Sequence, residues 1–221
     1  MLSLKHPYLS VDDGRNRSYG GNQMRSDRAV IRKCGCGPIA ALDTVWYLEH
    51  RGQTGAVSLT DYNTMLNTLC RRYFLLVPPF GINSFVLTAG LNLLLHARRL
   101  PYRAVWMMSG TKLWQRVEDM LARDLPVILS VGPNFPAVWQ NNRLPFYTRS
   151  SDGSFHKAAA TKGHFVTATG LDEEWVRISS WGREYYINRS EYERYTRENS
   201  HFAFSNLVYL REIPENNGGL P

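Results

Sequence analysis

The sequence predicts an α+β fold, with helices gathered in the first half of the chain and strands in the second. Two observations carry this. Apolar residues recur at helical spacing from 38 to 98 and again from 111 to 123. From 126 onward they fall in continuous or alternating runs suited to strands. A helical lobe followed by a sheet lobe is the segregated arrangement of α+β proteins. The 221 residues suit one domain over 1–213, its helical half about 34–123 and its sheet half about 124–213. A loose tail, 214–221, follows.

Each element has its own signal. Residues 1–33 are polar and rich in Gly, Arg and Asn, and read as an extended arm. A helix is expected from Pro38 to about His50, with Ile39, Leu42, Val45 and Trp46 inward and Gly52 closing it. A second helix opens at Thr60 as N-cap and carries Tyr62, Leu66, Leu69 and Tyr73 on one face. Cys70 shares that face and reads as core. After Pro78-Pro79 a third helix is expected over 84–98, then a strand over 102–107 and a helix over 111–123. The apolar run 126–131 marks a buried strand. Residues 133–162, with three prolines and Ser150-Ser151-Asp152-Gly153, read as a long irregular segment. Strands over 164–169, 174–180 and 184–187 follow, with Gly170-Leu171-Asp172 as the turn between the first two. A short helix over 190–197 and a strand over 203–210 complete the domain.

Composition excludes several classes. The net charge is +7, but the cations are scattered, their tightest groups being pairs such as Arg32-Lys33 and Arg71-Arg72. That argues against a nucleic-acid partner. No apolar run reaches the length of a membrane span, so no membrane partner is expected. Met1 to His6 lacks the apolar core of a signal peptide. The three cysteines cannot all pair, and Cys34 and Cys36 are too close for an ordinary bridge. Reduced thiols and a cytoplasmic location are the expectation. No cofactor motif is found. A zinc site from Cys34, Cys36 and His164 is disfavoured, because Cys-x-Cys is tighter than usual ligand spacing.

The chemistry centres on Cys36-Gly37-Pro38, a thiol at a helix N-terminus. Proline fits the first turn, where its missing N–H has no partner. The helix dipole there favours a thiolate and should lower the thiol pKa. Cys34 is a weaker candidate, two residues further from the helix. The candidate base is His164, in Gly163-His164-Phe165-Val166-Thr167, with His156 as a rival.

Four segments, in order, resemble the papain-like cysteine peptidases, closest to the compact bacterial branch that includes bacteriocin-processing domains. Tyr19-Gly20-Gly21-Asn22-Gln23 resembles the stretch carrying the oxyanion-hole glutamine. Cys36-Gly37-Pro38 resembles the nucleophile motif, and the His164 strand resembles the histidine strand. Ser179-Ser180-Trp181-Gly182 resembles the segment bearing the third catalytic residue. The resemblance implies a papain-like fold, with Cys36 as nucleophile, His164 as base, Ser179 orienting the imidazole and Gln23 in the oxyanion hole. Asp172 ranks below Ser179 for the orienting role. Gln23 lies thirteen residues before Cys36, further than is usual in the family, so residues 27–33 must loop out. The implied function is hydrolysis of a peptide or amide bond in a peptide or protein substrate, through a thioester acyl-enzyme. A non-catalytic peptide-binding protein of this fold, or an acyltransferase, are the alternatives.

Overall fold

The first 33 residues are not a free arm but part of two sheets. A computed structural model describes residues 1–78, 81–108, 110 and 112–214. Strand β1 (Leu2–Ser3) pairs with the far end of the histidine strand. Strands β2 (Ser10–Asp12) and β3 (Arg17–Tyr19) pair antiparallel. The arm escapes a periodicity search because each of these strands spans three residues or fewer. A single 3₁₀ turn, Gln23–Arg25, leads to the short helix α1 (Ala29–Cys34). This helix is the loop-out that brings Gln23 back towards Cys36.

Gly35 ends α1 and begins α2 (Cys36–Glu49). A Cβ at Gly35 would stand 2.5 Å from the Ile31 carbonyl oxygen, so only glycine fits this corner. Helix α2 starts two residues before the expected Pro38, which places Pro38 within the first turn. Eleven of its fourteen residues are buried, as in a core helix that is apolar all round. Strand β4 (Ala56–Ser58) joins β2 in parallel and completes the small sheet. Helix α3 (Leu59–Arg72) is capped by Ser58, which accepts from Asp61 N, and not by Thr60. Helix α4 (Ser84–Ala97) follows, capped by Asn83.

The strands expected over 102–107 and 126–131 are both present. Strand β5 (Tyr102–Met108) runs at the edge of the large sheet, ahead of α5 (Leu113–Ala122) and β6 (Val127–Val131). The expected long loop over 133–162 carries two strands, β7 (Leu144–Arg149) and β8 (Phe155–Thr161). Their signal is weak in sequence: a register shift at Phe146/Tyr147 breaks the alternation, and β8 reads Phe-His-Lys-Ala-Ala-Ala-Thr. Then come β9 (His164–Leu171), β10 (Trp175–Ser180), β11 (Arg183–Asn188), α6 (Arg189–Asn199) and β12 (Asn206–Glu212). The turn after β9 begins at Asp172, two residues later than expected, and its side chain accepts from Trp175 N at 2.8 Å. Of the expected loose tail, 215–221 lie outside the described residues.

The fold is α+β with a large antiparallel sheet in the order β5-β12-β6-β9-β10-β11-β7-β8, β1 pairing beside β9. All eight residues of β9 are buried, and both α2 and α5 pack against it. The strand that begins with His164 therefore lies against the helix that begins with Cys36. Among the described residues no helix is long and apolar enough to cross a membrane.

Candidate active site

Cys36 opens α2 and is half-buried, while His164 opens β9 and is 7% exposed. Both line one small cavity of about 10 Å³. That is room for about one water-sized sphere. The Phe165 backbone N–H, one residue past His164, lies close enough to the Cys36 sulfur to favour its thiolate.

The imidazole is held from two sides. Its Nε2 lies 2.8 Å from the Ser180 hydroxyl, which leaves Nδ1 for other work. The Trp181 ring stacks on it at 4.6 Å, with 22° between the planes. Trp181 and Gly182 form the two-residue turn between β10 and β11, at φ 50° and 72°. Such a turn requires positive φ at both positions. Tryptophan adopts that conformation at a cost of about 1–3 kcal/mol, a strain that concentrates at functional sites. Stacking on His164 is what the strained residue achieves here.

The sequence-derived orienting residue is corrected by one position. Ser179 does not meet His164: its hydroxyl donates to Tyr19 O at 2.9 Å. Successive side chains on a strand point to opposite faces, so only one of Ser179 and Ser180 can face the imidazole. A register shift between Arg177 and Ile178 in the β9–β10 pairing decides which. Asp172 is at the other end of β9, engaged in its turn. His156 is exposed on β8 and bonds Ser154. Cys34 is buried at the end of α1.

Gln23 does reach the cavity beside Cys36. One amide N–H donates to Arg32 O at 2.8 Å, which fixes the side chain across α1 and leaves a second N–H.

The thiol does not follow the helix-dipole expectation. Burial pushes Cys36 above its ordinary pKa and outweighs the N–H groups of Phe165, Gly37 and Cys36 itself, which act in the opposite direction. Burial also pushes His164 down, to about 3. Both effects favour a neutral thiol beside a neutral imidazole.

On the other side of the pair lies a cleft of about 770 Å³. Cys36, His164 and Phe165 form one wall, and Ile82, Phe85 and Phe204 are among the apolar residues that line the rest. Lys33 is the one formally charged side chain among its described lining residues.

Sequence reasoning misses two residues of the small cavity, Ser180 and Asp43. Ser180 is masked by the match of Ser179 to the family position. Asp43 does carry a signal: a carboxylate inside Ile39-Ala40-Ala41-Leu42-Asp43-Thr44-Val45, on a helix expected to be buried.

No protein-family model matches the chain, and no curated protein is similar enough to count as a relative. Among solved structures, one described provisionally as a C39-like peptidase from Bacillus anthracis is similar, with a TM-score of 0.44 and 14% identity. The likeness covers 80% of this chain and 88% of that one. At that level it adds nothing to the reading of the site, which rests on the residues themselves.

Proposed function

We propose that the chain is a thiol-dependent hydrolase that cleaves a peptide or amide bond. The observation that carries this is the meeting of Cys36 and His164 in one cavity, with the imidazole clamped by Ser180 and Trp181. In the reaction, the Cys36 sulfur attacks the carbonyl carbon and its proton passes to His164 Nδ1. The imidazolium gives that proton to the leaving amine as the C–N bond breaks, and a thioester remains. Water, deprotonated by His164, attacks the thioester and frees the acid and the thiol. An amine in place of water would make the product of acyl transfer. The second N–H of Gln23 and the Cys36 backbone N–H are the candidate oxyanion donors; losing one such donor typically costs about 10²–10³ in rate.

Because burial favours neutral partners at rest, the proton moves with the attack and not before it. The cleft supports an apolar group on the substrate beside the scissile carbonyl, since its walls are largely apolar and a cation there would find no carboxylate among the described lining residues. The neutral resting thiol and the engaged Gln23 amide favour a second reading, a peptide-binding protein without turnover.

A pool of short peptides with apolar and charged residues, incubated with wild type and Cys36→Ala, tests the two. Cleavage by wild type alone supports the hydrolase. Equal binding of apolar peptides by both proteins, with no cleavage, supports the second reading.

A further inference from the structure

Seven residues along α2 from Cys36 stands a carboxylate that the proposed reaction leaves unused. Asp43 is 1% exposed and lines the small cavity with Cys36 and Ala40. Burying a carboxylate is costly unless donors surround it. Three converge on it: Tyr62 O–H at 2.6 Å, Gly21 N–H at 2.9 Å and Tyr8 O–H at 3.5 Å. The Ser179 and Thr167 hydroxyls lie near enough to the Tyr8 hydroxyl to influence its titration. Gly20 is packed so closely that a Cβ there would stand 2.2 Å from Ser179 Oγ and 2.6 Å from Asp43 Oδ2. The two oxygens therefore crowd the same point. Asp43 thus ties α2 to α3, to Tyr8 and to the Gly21 backbone leading to Gln23, and at Gly20 it packs beside Ser179, near the end of β10. The next residue of β10 is Ser180, which holds His164.

We propose that Asp43 is the acidic positioning residue of this site, its carboxylate setting where Ser180 meets His164 and where Gln23 sits beside Cys36. The proposal rests on the Cys36–His164 reading above. All three partners can aim a hydrogen at the carboxylate, which accepts from each. Protonation removes the negative charge that strengthens these three bonds and adds an O–H that needs an acceptor of its own, so the cluster is held more weakly. The site is then well ordered with Asp43 ionised and slack with it protonated.

That change falls in an accessible pH range. Burial pushes Asp43 up to about 6, against the lowering effect of its bonds from Tyr62, Gly21 and Tyr8. The titratable groups facing it are Tyr8, Tyr62 with Cys70 behind it, Tyr19 beyond Tyr8, Cys36 on its own helix and His164 on β9. The three tyrosines and two thiols are all pushed upward, and His164 lies at about 3, so none of them changes charge near 6.

The test follows iodoacetamide alkylation of Cys36 by peptide mass spectrometry as a function of pH, which needs no substrate. Wild type should show an inflection near pH 6 beneath the thiol's own titration. Asp43→Asn should lose that inflection and react about tenfold more slowly, a fraction of the 10²–10⁴ a positioned base supplies. Tyr62→Phe keeps the carboxylate but removes its shortest bond, so the inflection should move to higher pH; it serves if the Asn variant does not fold. An inflection unchanged in both variants overturns the role of Asp43. A His164→Ala profile identical to wild type overturns the Cys36–His164 reading itself, which separates the two failures.

Discussion

The Cys36–His164 pair has opposite surroundings on its two sides. Inward is a space of about 10 Å³ ringed by Gln23, Asp43, Ser179 and Ser180, each of which already makes at least one hydrogen bond within the protein. Outward is a cleft of about 770 Å³ with apolar walls and few polar groups. A polar pocket this small has little room for a ligand, but its hydrogen bonds fix the groups around it. An empty apolar cleft fixes little and gains free energy when something apolar fills it. Under the proposed hydrolysis, one side holds the reacting groups still and the other receives the substrate.

Breaking the pair itself should have the largest effect. Cys36→Ala should lower amide hydrolysis by at least about 10³-fold, since no nucleophile remains, as followed by release of a peptide product. Turnover persisting in this variant would remove the distinction between the two sides.

On the inner side, packing should matter before polarity does. A Cβ at Gly21 would stand 1.9 Å from the Tyr62 hydroxyl, so Gly21→Ala should cost about 1–3 kcal/mol in urea unfolding. At Gly55, where nothing lies within 4 Å of an added Cβ, the same change should cost far less.

The inner side should also govern acid stability, in two opposed ways. His164 is held at about 3, below its ordinary 6.5, so the unfolded chain binds the extra proton and stability falls as pH drops from 6.5 towards 3. Asp43 is held at about 6, above its ordinary 3.8, so the folded chain binds the proton first and stability rises as pH drops through that interval. His164→Gln should flatten or reverse the acid loss, and Asp43→Asn should steepen it. Each pH unit that separates a group's folded and unfolded titrations is worth about 1.4 kcal/mol. Urea midpoints at a series of pH values read both.

Next come the two serines. Ser180→Ala should lower kcat about tenfold through loss of imidazole orientation, while Ser179→Ala should have a smaller effect. The reverse ranking would return the orienting role to Ser179. The smallest effect belongs to the cleft. Phe85→Asp, at an exposed rim position, should raise KM several-fold for apolar peptides and leave kcat unchanged. A fall in kcat alone would place the substrate elsewhere.

Much of this architecture is legible in sequence because its signals are local. The strand-by-strand order from 164 to 210 follows from alternation and turn residues, and the Cys36 helix follows from its apolar run and Pro38. What escapes depends on partners distant in sequence. The strands β1 to β3 are too short to show a period, and β7 and β8 are broken by a shifted register. The choice between Ser179 and Ser180 hangs on one irregularity in the β9–β10 ladder, which no spacing in the chain encodes. Asp43 is visible as an acid in an apolar helix, but its meaning appears only when Tyr8, Gly21 and Tyr62 converge on it.

The pairing of β1 with the end of β9 has a consequence for synthesis. Leu2 faces Leu171, and the site draws on residues near 20, near 40 and from 164 to 181. A chain emerging from the ribosome holds its thiol early but receives the imidazole, its serine and its tryptophan only when most of it has been made. Contacts of such long range close late in folding. The nascent chain therefore carries Cys36 without its imidazole neighbour, and the two meet only when the C-terminal strands have joined the sheet.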